Sequence, residues 1–101
     1  MNINGKTFEF DATTLEGIKA VEEATHDRLE AAKKANDLVK KGKLYDAAVL
    51  SIQLAKDFFI KLVGIDIVGD CNSPVLAAMY LEDFQRQCDL QRQKVRKDYF
   101  K

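Results

Sequence analysis

One amphipathic segment, from about Thr13 to Gly42, constrains the fold of this chain more than any other feature. Its apolar residues recur at steps of three and four, which is the spacing of one helix face. Thr13 and Glu16 fit a capping box, in which the Thr13 hydroxyl accepts from the Glu16 amide, and the sequence KKGK is typical of a helix C-terminus. The pattern predicts a helix of about 28 residues, or roughly 40 Å at 1.5 Å per residue.

The middle of this predicted helix, EEATHDRLEAAKKAND, is heavily charged and has mostly alanine on its apolar face. A helix of this length exceeds what a globule of 101 residues needs to cover its core. We therefore expect part of the helix to bury poorly within one subunit, so that it either bends or is covered by a second chain.

The residues before this helix predict a short β-hairpin. Ile3, Phe8 and Phe10 alternate with polar residues around Asn4-Gly5, the dipeptide that favours a tight two-residue turn. Strands this short are marginally stable alone, so we expect Phe8 and Phe10 to pack on the helices.

Two further helices are predicted after the first. One runs from Leu44 or Asp46 to Val63 and has a wide apolar face, which we expect to form the centre of the core. Ser73 and Pro74 provide an N-cap and a first-turn proline for the last helix, which continues toward residues 99 and 100.

The sequence thus predicts one mainly α domain over residues 1–101, with a short N-terminal β-hairpin (about 1–11) followed by three α-helices, the first of them long. No apolar run approaches the roughly 18 residues needed to cross a bilayer, and the first residues do not resemble a secretory signal. We therefore expect a soluble, cytoplasmic protein without membrane contact. Its 16 basic and 16 acidic residues cancel, which makes nucleic acid an unlikely partner, although residues 86–101 are locally basic.

Nothing in the sequence predicts catalysis, a cofactor or a metal. His26 is the only histidine, which excludes a site with two histidine ligands, and we interpret it as a surface residue. Cys71 and Cys88 are too far apart for a CxxC pair and are expected to be ordinary thiols. The acidic loop at residues 66–72 lacks the ligand order of a calcium loop, and GIDIVG lacks the glycines and lysine of a phosphate loop.

The loop GIDIVGD, residues 64–70, combines glycines and acids with apolar residues that a water-facing loop would not choose. It is either a wholly buried crossover or a surface that packs partly on a neighbouring subunit or another protein. Tyr99 and Phe100 follow a polar, basic run and are either a frayed end or an aromatic anchor for a partner. The candidate protein-binding residues are Phe59, Ile65, Ile67, Val68, Phe84, Tyr99 and Phe100.

The order of INGKTFEFD, a long charged helix and FFIKLVGIDIVGDCNSPVLAAMYLEDF resembles that of a known family. This family comprises the small tail assembly chaperones, and their relatives, encoded in the tail gene modules of siphophages that infect Gram-positive bacteria. The matching positions are Ile3, Asn4, Gly5, Phe8, Phe10, Asp11, Phe58, Phe59, Gly64, Gly69, Asn72 and Phe84.

The resemblance implies a protein that is not an enzyme. It implies a homo-oligomer that binds the long, helical, aggregation-prone tape measure protein during tail building, contacts other tail proteins, and leaves before the tail is complete. An alternative from a different class is a small helical nucleic-acid-binding or regulatory protein that uses the basic C-terminal helix, and the zero net charge counts against it.

Overall fold

The computed structural model describes residues 1–101 and consists of a two-stranded hairpin followed by three helices. It confirms the predicted mainly α fold, with a short N-terminal hairpin and a long first helix. The elements are β1 (Asn2–Ile3), β2 (Lys6–Thr7), α1 (Leu15–Lys40), α2 (Leu44–Val63) and α3 (Pro74–Tyr99).

The hairpin forms where Asn4-Gly5 predicts it. Both residues have positive φ, 54° at Asn4 and 73° at Gly5, as a two-residue turn between antiparallel strands requires. Ile3 and Phe8 are buried and join the core, and the Gln87 amide of α3 donates to the Asn2 carbonyl at 2.8 Å. The short strands are therefore stabilised by the helices.

The start of α1 differs from the predicted capping box by one residue. The N-cap is Thr14, whose hydroxyl accepts from the Gly17 amide at 3.1 Å. Thr13 instead donates to the Asp11 carboxylate from its amide at 2.8 Å and from its hydroxyl at 2.6 Å. Because these two hydrogen bonds hold Thr13 in the preceding turn, the helix begins later, and the predicted Thr13–Glu16 pair is wrong.

The other helix ends agree with their predicted signals. The left-handed conformation of Gly64, with φ of 71°, ends α2, and its amide donates to the Ile60 carbonyl at 2.8 Å. The Ser73 hydroxyl accepts from the Leu76 amide at 3.2 Å, and Pro74 occupies the first turn of α3.

Helices α1 and α2 form an antiparallel pair joined by residues 41–43, while α3 packs on α2 and on β1. No Cα atom of α1 lies within 8 Å of one in α3, so the two helices flank α2 without packing on each other. The core lies where the hairpin, α2 and α3 meet. Phe84 contacts Phe58, Phe59 and Phe10 there, with ring centroids 5.6, 6.0 and 5.5 Å away.

The molecule is elongated, with extents of 54 × 25 × 20 Å. Its radius of gyration is 15.1 Å, whereas a compact domain of this length has about 13 Å. Its accessible surface is 7001 Å², whereas a folded monomer of 11.4 kDa exposes about 5,800 Å². The extra surface comes from two extensions beyond the core, one at the α1–α2 connection and one at the end of α3.

Candidate protein-binding surfaces

The loop at residues 64–70 is a buried crossover between α2 and α3. Ile67 and Val68 are 0% and 1% exposed and belong to the same core cluster as Ile3 and Phe8. The Asn4 side-chain amide donates to the Ile67 carbonyl at 2.8 Å. The sequence left open whether this loop is a buried crossover or a surface that packs on another protein. In the structure Ile67 and Val68 are covered within the subunit, as in a buried crossover.

Charged side chains from two other elements hold this crossover in place. Lys6 of β2 donates to the Asp66 carbonyl at 2.6 Å, and Lys56 of α2 donates to the Gly69 carbonyl at 3.1 Å. The Asp66 carboxylate accepts from the Gly69 amide at 2.9 Å and pairs with Lys56 at 3.3 Å. The Gly69 amide, followed by Lys56, lowers the pKa of Asp66 below its ordinary value.

Four of the seven candidate protein-binding residues lie in the interior of the subunit. The buried positions are Phe59, Ile67, Val68 and Phe84. They are covered because the inner faces of α2 and α3 meet over the crossover loop. Ile65 is half-buried against the same cluster, so Tyr99 and Phe100 are the only fully exposed members of the predicted set.

Tyr99 and Phe100 are 81% and 75% exposed, and their rings contact each other with centroids 5.0 Å apart. They belong to a stretch, residues 92–101, in which every residue is exposed. We call this stretch the α3 overhang. Its base is Gln91, whose amide donates to the Phe10 carbonyl at 2.7 Å and accepts from the Ala12 amide at 2.9 Å.

The core-facing stripe of α3 continues into the overhang. Within the core the stripe contains Ala77, Phe84 and Cys88, which are buried, and it passes through Gln91. At the same spacing of three and four residues the next positions are Val95 and Tyr99, both exposed. The apolar positions that would face a core are therefore exposed within residues 1–101, and Tyr99 contacts the adjacent Phe100.

A groove runs between α1 and α3, with α2 as its floor. One cavity, of about 270 Å³, lies over Phe58 between Val21 of α1 and Leu81 of α3. A second, of about 470 Å³, continues over Leu54 to the start of α3. The two cavities share Arg28, which also borders a third of about 350 Å³ between α1 and α2. We call the first two cavities together the groove.

Arg28 has no partner inside this apolar setting. Its Nε atom is buried without a hydrogen bond, and its guanidinium lies 5.8 Å from the centroid of the Phe58 ring. Asp27 binds Lys61, and Asp57 accepts from Gln53 at 2.7 Å. Glu82 lines both cavities of the groove together with Arg28 but makes no hydrogen bond or ion pair with it. A cation–π contact partly compensates such a guanidinium but supplies no hydrogen-bond acceptor.

A second exposed apolar surface lies at the α1–α2 connection. We call it the hairpin tip, because α1 and α2 form a helical hairpin here; it is distinct from the β-hairpin of β1 and β2. It comprises Val39, Leu44, Tyr45 and Val49. Tyr45 is 80% exposed, and the buried residues nearest this end are the small Ala35 and Ala47. The tip lies beyond residues 22–37 of α1, the part that was expected to bury poorly and in which Ala24 and Ala35 are buried. The pair of helices α1 and α2 extends past the core at this end.

Sequence reasoning missed Arg28 and the hairpin tip. The signal for Arg28 was present, since it follows Val21 and Ala24 and precedes Ala31 at steps of three and four on the alanine-rich face. A basic residue in such a stripe lays its aliphatic stem along apolar surface, so it deserved notice as a charge at the edge of the core. The signal for the hairpin tip was weaker, because which residues of α2 are buried depends on how far α3 extends alongside α2.

The remaining reactive groups are dispersed. No three His, Cys, Asp or Glu side chains lie close enough together to hold a metal ion. His26 is exposed, Cys71 and Cys88 are free, and burial raises the pKa of the Cys88 thiol to about 11. None of the helices has the length and apolarity that a transmembrane span requires.

Comparison of the chain with protein-family models, with curated proteins and with solved structures finds no match.

Proposed function

We propose that this protein is a cytoplasmic, non-enzymatic assembly chaperone that self-associates and binds amphipathic helices of the siphophage tape measure protein. The observation that carries the proposal is uncovered apolar helix surface, at the hairpin tip and along the α3 overhang. A protein that protects a helical client needs such surface, because an amphipathic client helix buries its apolar face against it. The resemblance of the sequence to tail assembly chaperones supplies the identity of the client.

The two exposed surfaces suit two different contacts. The hairpin tip contributes aliphatic and aromatic side chains from two helices, an arrangement that accepts a third helix across it. A surface made of four such side chains is small, and small interfaces are typical of transient complexes. This fits a chaperone that leaves its client before assembly ends, so we assign the client to the hairpin tip.

The proposal is tested by co-expression of the full chain with an amphipathic helical segment of a tape measure protein. We expect most of the segment to stay in the supernatant after centrifugation, and to pellet without the chaperone. The double variant Leu44→Ser, Tyr45→Ser should reduce the rescued fraction several-fold. Leu15→Ser is the matched control, since Leu15 is equally exposed but lies at the other end of α1. If the native chain rescues no more of the segment than an unrelated helical protein does, the proposal is wrong.

The α3 overhang favours one other function, nucleic-acid binding. It carries five basic residues and one acid, Asp98, and such a helix end can contact phosphates. Retention on a DNA column that falls steeply between about 50 and 200 mM salt would support this alternative over the chaperone.

A further inference from the structure

The groove has the position and the length needed to hold one more helix. Since α1 and α3 both pack on α2 and not on each other, a helix lying between them would complete a four-helix bundle. The wall that α3 contributes runs from Pro74 to Gln85, which is about 17 Å at 1.5 Å per residue. Three turns of helix fill that length.

Arg28 indicates which chemical group a helix bound in the groove would supply. Its side chain borders both cavities of the groove, and its buried Nε has no acceptor within the subunit. A carboxylate provides the strongest acceptor for a guanidinium, because two charge-assisted hydrogen bonds can form together. A helix with an apolar face and an acidic residue beside it would supply such an acceptor.

The α3 overhang is a segment of this kind. Residues 92–101 span about 15 Å at 1.5 Å per residue, close to the length of the groove. Val95 and Tyr99 form its apolar stripe, and Asp98 lies next to them, exposed and 3.9 Å from the Lys101 ammonium. Its own subunit leaves this stripe uncovered.

The overhang and the rest of the subunit carry opposite net charge. Residues 92–101 have five bases and one acid, whereas residues 1–91 have eleven bases and fifteen acids. The side chains that line the groove itself include one base, Arg28, and one acid, Glu82. The basic overhang is therefore attracted to the acidic body of a second copy.

We propose that the α3 overhang of one copy occupies the groove between α1 and α3 of a second copy, with Asp98 of the one pairing with Arg28 of the other. This inference rests on the self-association in the proposed function and names the surfaces that produce it. Two copies that exchange overhangs close into a symmetric dimer.

The test is light scattering of the full chain over a range of concentrations. We expect particles of at least twice the subunit mass, and at least a tenfold weaker association for Tyr99→Ser, Arg28→Glu and Asp98→Arg. The double variant Arg28→Glu, Asp98→Arg should regain most of the association, because the pair is restored with reversed charge. Lys34→Glu is the matched control, with the same charge change at an exposed position of α1.

Two outcomes overturn the inference. One is a native chain that stays monomeric at several hundred micromolar; the other is an unchanged association of the Tyr99→Ser variant. Since Tyr99 is exposed, its replacement does not endanger folding, and circular dichroism verifies this for every variant. Client rescue is measured in parallel. A native chain that stays monomeric also overturns the self-association in the proposed function, whereas an unchanged association of Tyr99→Ser in a chain that rescues the tape measure segment overturns only the inference. Failure of rescue by a chain that associates as expected overturns only the chaperone function.

Discussion

The crossover loop and the α3 overhang have opposite relations between sequence and burial. The loop at residues 64–70 is rich in glycine and aspartate, yet Ile67 and Val68 are completely covered. The overhang continues the core-facing stripe of α3, yet Val95 and Tyr99 are exposed. The difference lies in their neighbours, because Lys6, Lys56 and Asn4 hold the loop against the core. Nothing in residues 1–101 plays that part for the overhang.

The largest expected effect comes from removing an apolar side chain on each side of this comparison. Ile67→Ala should lower the free energy of unfolding by about 2–5 kcal/mol, because it leaves a cavity among fully buried neighbours. Tyr99→Ala should change it by less than about 0.5 kcal/mol in a dilute, dissociated sample. Urea denaturation measures both values, and equal losses would remove the distinction between the two regions.

A smaller effect is expected from the lysine that anchors the loop. Lys56→Met removes the ion pair to Asp66 and the hydrogen bond to the Gly69 carbonyl while keeping the length of the side chain. We expect a loss of about 1 kcal/mol in the free energy of unfolding, the usual net value of such a contact. Lys97→Met, in the overhang, is the control and should have no measurable effect. A neutral Lys56→Met would mean that burial of Ile67 and Val68 alone holds the loop.

Acid should weaken the anchor of the crossover loop. The pKa of Asp66 is lower in the folded chain than in the unfolded chain, so its contribution to stability is complete above the unfolded value of about 3.9. It is lost as the pH falls through the lower folded value. Thermal melting between pH 5 and pH 2 should therefore show a smaller fall in Tm for Asp66→Asn than for the native chain. An equal fall would assign the acid sensitivity to other carboxylates.

The mildest probe is thiol labelling, which leaves the fold intact. Cys88 lies in the last covered part of α3, and its pKa of about 11 leaves about one thiolate in a thousand at pH 8. Cys71, at the end of the crossover loop, is only half-buried. In Cys71→Ser and Cys88→Ser variants, we expect the remaining Cys88 to label much more slowly than the remaining Cys71. Fast labelling of Cys88 would show that α3 opens near the base of the overhang.

Local signals were sufficient for the elements of this fold. Asn4-Gly5 predicted the hairpin turn, and Ser73-Pro74 predicted the start of α3, because turns and caps depend on residues adjacent in sequence. The start of α1 was wrong by one residue since the Asp11 carboxylate competes for Thr13. Gly17 gave no signal at all, although a Cβ there would lie 1.9 Å from the Asp11 carbonyl oxygen.

The candidate surfaces were only partly predictable. Tyr99 and Phe100 were interpreted as either a frayed end or an aromatic anchor, and both side chains are exposed. Phe59 and Phe84 were candidate binding residues, and both lie in the core. Which apolar side chains are covered depends on where helices of unequal reach lie against one another, and this is a property of the tertiary arrangement. The contacts from Lys6 and Lys56 to the loop are likewise absent from any local pattern.

The Gln91 side chain forms hydrogen bonds to the chain on both sides of residue 11, to the Phe10 carbonyl and from the Ala12 amide. This double attachment fixes the direction in which α3 leaves the body of the subunit. A helical segment with a fixed direction loses little conformational entropy when a partner binds it. Gln91 therefore orients the α3 overhang. Removing its two hydrogen bonds should slow the binding of the overhang and make the register of any assembly less uniform, although Gln91 itself contacts no partner.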